Sequence, residues 1–145
     1  LVNYASTIRE EKPVVTHQEA RKVVAAAVQK AEEIDQPMNI AVMDAGMNLV
    51  AFERMDDAWV LSIDIAMCKA FTAAGRGLST RKVGEMAQPG QPLFGVNTTN
   101  GGRVATFAGG LPLERDGKVV GAVGVSGGPV DQDEAVAQAG VDAFG

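Results

Sequence analysis

The tetrapeptide Arg115-Asp116-Gly117-Lys118 constrains this chain more than any other feature. Apolar stretches flank it on both sides, and Asp-Gly accepts the positive φ angles of a type I′ turn, so it predicts a tight β-hairpin. Asp44-Ala45-Gly46-Met47 separates two further apolar runs, Met38 to Met43 and Asn48 to Arg54, and predicts a second hairpin. Two hairpins require antiparallel neighbours, which argues for an antiparallel sheet. The imperfect alternation of the first pair points to burial on both faces. Val119 to Val125 forms one more buried strand, where Gly121 and Gly124 let a helix or another backbone come close.

Helical patterns fill the intervals. Thr16 with Glu19 forms a capping box ahead of the apolar face Ala20, Val23, Val24, Ala27, Val28, Ala31 and Ile34, and the helix ends before Pro37. A second helix starts near Trp59, capped by Asp56 or Asp57, with the stripe Val60, Ile63, Met67, Ala70 and Ala74, and Gly75 and Gly77 stop it. Ser79 caps a short helix to about Ala87. Gln88 to Gly102, rich in Gly, Pro and Asn, reads as a long loop, and long loops in small domains tend to be functional. Apolar strand material lies between Arg103 and Glu114. Asp131 with Glu134 predicts a capping box for a last helix, whose apolar face is Val136, Ala137, Gly140, Val141 and Phe144. The expected fold is α/β of the α+β kind: one domain over residues 1–145, an antiparallel sheet covered by helices, with residues 1–15 peripheral.

At 145 residues the chain is long enough to bury roughly two thirds of the surface it would expose unfolded. No apolar run approaches the roughly 20 residues of a membrane span, so membrane partners are not expected. The net charge of -5, with no Lys/Arg cluster, argues against nucleic acid. One cysteine, Cys68, and one histidine, His17, cannot build a Cys/His zinc cluster within a chain, and a reducing, cytoplasmic setting is the default. The numbering opens on Leu1, as it would if a leader had been removed.

Five segments carry a family resemblance: Ile40-Ala41-Val42-Met43-Asp44-Ala45-Gly46, Ser62-Ile63-Asp64-Ile65-Ala66 with Lys69-Ala70, Asn100-Gly101-Gly102-Arg103, Gly109-Gly110-Leu111-Pro112, and Gly121 to Gly128 with Asp131-Gln132-Asp133-Glu134. In order and spacing they resemble the GlcG/HbpS-type family, which also includes the C-terminal domain of PduO-like proteins. The resemblance runs from about Thr16 to the C-terminus. It implies a profilin-like sheet flanked by helices, homo-oligomers that are often octamers, and haem binding or degradation in some members. Other members accompany glycolate, diol and aromatic catabolism, so the fold alone does not fix the chemistry.

Three places could hold a ligand. His17, in the first turn of the first helix, offers an imidazole to haem iron, and it corresponds under the resemblance to a haem-ligating histidine near this helix start; the plainer reading is an exposed polar residue. Ser126-Gly127-Gly128 stands between a strand and a helix start, where backbone amides can hold a carboxylate, phosphate or propionate; the plainer reading is a tight turn. Neither Walker A nor dinucleotide spacing is present there. Asn100-Gly101-Gly102-Arg103 joins a flexible backbone to a guanidinium that pairs bidentately with carboxylates; the plainer reading is a structural ion pair. Asp64 and Lys69 are five apart and do not share a helix face, so a salt bridge from an inward Asp64 to another element is the ordinary expectation. The six dispersed methionines read as core filling and Cys68 as structural.

These features favour a haem-binding, haem-degrading, oligomeric accessory protein presenting His17 to the porphyrin. The alternative is an enzyme or catabolic accessory acting on a small organic acid, with Arg103 and the Gly127-Gly128 amides holding the carboxylate. A third reading is an oligomeric scaffold. No Ser/His/Asp, Cys/His or paired-carboxylate set supports a self-contained enzyme.

Overall fold

The computed structural model describes residues 14–145. The chain runs α1 (His17–Glu33), β1 (Asn39–Asp44), β2 (Leu49–Arg54), α2 (Leu61–Arg76), α3 (Thr80–Met86), β3 (Gly110–Arg115), β4 (Lys118–Ser126) and α4 (Val130–Phe144). Two single 3₁₀ turns, Val96–Thr98 and Asn100–Gly102, interrupt the long loop. The four strands form one antiparallel sheet in the order β2-β1-β4-β3, so the two hairpins meet through their β1 and β4 strands. Residues 1–13 of the expected peripheral segment lie outside the described residues. Val15 is docked, buried with its N–H donating to the Val120 carbonyl at 3.0 Å.

The two faces of the sheet are packed differently, and this sets where a site can form. Ile40, Val42, Val123 and Val125 point to one side, where they meet Ala20, Val23, Ala27 and Ala31 of α1 and Val136 and Ala137 of α4. Ala41, Met43, Ala122 and Gly124 point to the other, where α2 lies directly on the strands. Large residues hold α1 and α4 at a normal distance, whereas small ones bring α2 close. The turn at 115–118 is formed as read, with φ of 53° at Asp116 and 75° at Gly117.

Local signals were obeyed where nothing competed with them. Thr16 Oγ1 accepts the Glu19 N–H at 3.1 Å, and Glu19 Oε1 accepts the Thr16 N–H at 3.0 Å, closing the capping box. Thr16→Ala is expected to lower stability by about 1 kcal/mol in chemical denaturation, with the denaturant slope unchanged. Ser79 caps α3 through the Lys82 N–H.

Four expectations are corrected. Neither Asp56 nor Asp57 caps α2: its N-cap is Val60, which makes no side-chain cap bond. Of the expected α2 stripe Ala70 and Ala74 are buried, but Val60 is left exposed and Ile63 and Met67 are only partly buried; the face laid on the strands is centred on Ser62, Ala66, Lys69, Ala70 and Ala73, residues that let the helix approach Gly124. Gly75 lies inside α2, and only Gly77, at φ 72°, ends it in the left-handed conformation. Asp131 and Glu134 form no capping box on α4; Pro129 is the N-cap, and both carboxylates are drawn to Arg81 of α3, at 2.6 and 3.1 Å.

Candidate functional site

His17, Ser126-Gly127-Gly128 and Asn100/Arg103 are not brought together. His17 is exposed at the start of α1, on the α1/α4 side of the sheet. No described residue hydrogen-bonds its ring. Arg21, one turn further along α1 and also exposed, shares its face.

Ser126-Gly127-Gly128 does hold a carboxylate, but an internal one. Asp133 Oδ1 accepts the Gly128 N–H at 2.9 Å, and Asp133 Oδ2 is 2.8 Å from Lys69 Nζ. The ammonium also donates to the Val125 carbonyl at 2.8 Å and faces the Phe107 ring, with 5.0 Å to its centroid. Both side chains are sealed, at 0% and 2% exposure. Burial pushes the Asp133 carboxyl up and the Lys69 ammonium down from their ordinary ranges, against their mutual attraction. The expected Asp64 salt bridge is absent among the described residues; Asp64 is exposed, and Lys69 is the helix residue that reaches across. Residue patterning passed over Lys69 because lysine is normally a surface residue. The signal that could have found it is its place in the small-residue stripe of α2.

The third place is a cleft. The loop 88–102 folds back over α2 and α3 and, with the Met47 turn, encloses about 250 Å³. Phe71, Val83, Leu93, Val96 and Val104 supply an apolar lining, and Arg76 and Asn100 also line it. The loop is held in place from both ends. Leu93 N–H donates to the Met86 carbonyl at 2.9 Å, and Thr72 Oγ1 accepts the Ala105 N–H at 2.8 Å while donating to the Cys68 carbonyl at 2.8 Å. Asn100, Gly101 and Gly102 have φ of 52°, 65° and 79°, three successive left-handed residues. No atom would crowd a Cβ at Gly101 or Gly102, so the backbone conformation, not space, selects glycine there.

This turn brings Arg103 against Phe71, one of the residues that line the cleft. Its Nε donates to the Asn100 carbonyl at 2.9 Å, and its guanidinium lies over the Phe71 ring with 4.2 Å to the centroid. Arg103 is therefore stacked rather than ion-paired. Cys68 is half-buried nearby, and burial pushes its thiol up, away from the thiolate form that reactivity needs. Arg76 and Phe71 were not anticipated from the sequence, since their meeting with residue 103 depends on how the loop folds.

Comparison with known proteins bears on the whole of this architecture. The family model for haem-degrading HbpS-like proteins matches residues 15–142. A 15.0 kDa protein encoded in the dhaT-dhaS intergenic region of Citrobacter freundii is 44% identical over 130 residues, 90% of this chain and 92% of that protein. A crystal structure of a PduOC–heme complex is 34% identical, covering 90% of this chain and 94% of that one, with a TM-score of 0.86. A double mutant of HbpS from Streptomyces reticuli is 30% identical, covering 93% and 90%, also with a TM-score of 0.86. With backbones that superpose this well and a family match over residues 15–142, this chain belongs to the family of haem-degrading HbpS-like proteins.

Proposed function

We propose that the protein binds haem through His17. The observation that carries this reading is the likeness to the PduOC–heme complex, combined with an exposed imidazole at the start of α1 whose ring no described residue engages. The donor chemistry fits. A neutral imidazole nitrogen is a haem ligand, and Arg21 on the same helix face provides a cation for a propionate. The His17 surface is open, however, and the 250 Å³ cleft lies on the other side of the sheet. One chain therefore supplies a ligand without an enclosure.

The second wall comes, in this reading, from another copy of the chain. Trp59, Val60 and Leu61 are 67%, 74% and 75% exposed, an apolar run of the kind that self-association covers. A homo-oligomer, such as an octamer, would repeat His17 around its axes. No described helix is long and apolar enough to cross a membrane.

A haemin titration followed by absorbance, with the mass in solution measured in parallel, tests the reading. A saturable Soret shift at a fixed ratio per subunit is expected for the wild type. His17→Ala should lose that shift while keeping its mass and melting temperature. Titration curves that coincide would remove His17 as the ligand. Haem degradation is the finer activity, and it would show as decay of the bound Soret band under reductant in air.

A further inference from the structure

We infer that the cleft between α2, α3 and the 88–102 loop is a second, haem-independent site, which takes a small carboxylate with a compact apolar body. Its interior is apolar, set by side chains such as Phe71, Val83 and Val104; Arg76 and Asn100 line it, and Arg103 stands beside it, stacked on Phe71. That combination, an apolar body site with a few converging polar groups, is what orients a small ligand. The volume of about 250 Å³ lies below the roughly 300–1,000 Å³ of sites for drug-sized ligands, which selects a single ring or a short branched chain and leaves out a porphyrin.

The arginines specify the charge. In a chain of net charge -5, neither Arg76 nor Arg103 has a carboxylate within 4.0 Å among the described residues. Arg81 and Arg115, by contrast, are both ion-paired. Stacking on Phe71 and the Nε bond to the Asn100 carbonyl fix the plane of the Arg103 guanidinium and leave its terminal nitrogens to donate. A planar, pre-oriented guanidinium beside an apolar cleft suits the two coplanar oxygens of a carboxylate whose apolar body fills the cleft. The Gly127 and Gly128 amides take no part, because Asp133 already uses that corner.

The site can be probed with 4-fluorobenzoate by fluorine NMR on the intact protein, with 4-fluorobenzamide as the uncharged match. Saturable binding of the benzoate at one site per subunit is expected. The double variant Arg76→Gln/Arg103→Gln should bind at least roughly tenfold more weakly, since charge-assisted hydrogen bonds are lost, and the benzamide should bind wild type as weakly as the benzoate binds the variant. His17→Ala should leave benzoate binding unchanged, and saturating benzoate should leave the haemin titration unchanged. Equal binding by the variant, equal binding of the benzamide, no saturation at millimolar benzoate, or displacement of haemin would each overturn the inference. Failure of haem binding alone would not touch it. Unchanged melting temperatures of the ligand-free variants keep a folding defect from imitating the result.

Discussion

Lys69→Met is expected to destabilise the protein by about 3–5 kcal/mol, among the largest effects of any single substitution away from the surface. The ammonium fills a sealed position between three partners: the Asp133 carboxylate, the Val125 carbonyl and the Phe107 ring. Methionine keeps most of the volume but removes the charge. Asp133 would then be left buried, with only the Gly127 and Gly128 amides to stabilise it. Asp133→Leu should cost a similar amount by stranding the ammonium and the amides together. Burial opposes both charges, and buried pairs of this kind add little over well-packed apolar residues. The double variant Lys69→Met/Asp133→Leu should therefore be clearly more stable than the sum of the single losses predicts. Urea denaturation of the four proteins measures that coupling. Strict additivity would show that the two side chains do not act as a pair.

What this pair does for the fold explains why parts of the site were legible in the sequence and others were not. Signals that depend on neighbours in the chain were readable: the Thr16–Glu19 box, the Ser79 cap and the Asp116-Gly117 turn all formed. Their energetics involve a few adjacent residues, so tertiary packing had little to override. The cap assigned to Asp131 and Glu134 failed for the opposite reason. A cation from another helix, Arg81, outbid the backbone for both carboxylates. Likewise the loop at 88–102 was recognisable as a loop, and Arg103 as the guanidinium that follows it. The cleft itself was not, because it needs Phe71 and Arg76 from α2 opposite the loop. Hydrophobicity periods placed α2 correctly but rotated it, since they reward Val60 and Met67 over alanines. One glycine of β4 held the missing information: Gly124, on the strand face that α2 covers, calls for small residues on that helix.

That relation yields the second large effect. Gly124→Ala should be at least about 3 kcal/mol less stable than Gly46→Ala, as measured by chemical denaturation. Both substitutions remove similar backbone freedom from the unfolded chain, so their difference reports the folded state. A Cβ at Gly46 would meet mainly the Asn48 side-chain amide, at 3.0 Å, which can turn aside. A Cβ at Gly124 would fall 2.1 Å from the Ala66 carbonyl oxygen and 2.4 Å from the Ala70 nitrogen, both backbone atoms of α2. Neither can yield without moving the helix, and inserted methyl groups in packed cores cost about 1–3 kcal/mol even where side chains can adjust. Moving α2 also moves what it carries: Lys69 away from Asp133, and Phe71 and Arg76 away from Arg103. The same variant should thus lose benzoate binding in the cleft, while His17 itself, on α1 beyond the opposite face of the sheet, keeps its place. Equal stability of the two alanine variants would mean that α2 can slide over β4 at little cost. The close approach of helix to strand would then not be what positions the cleft.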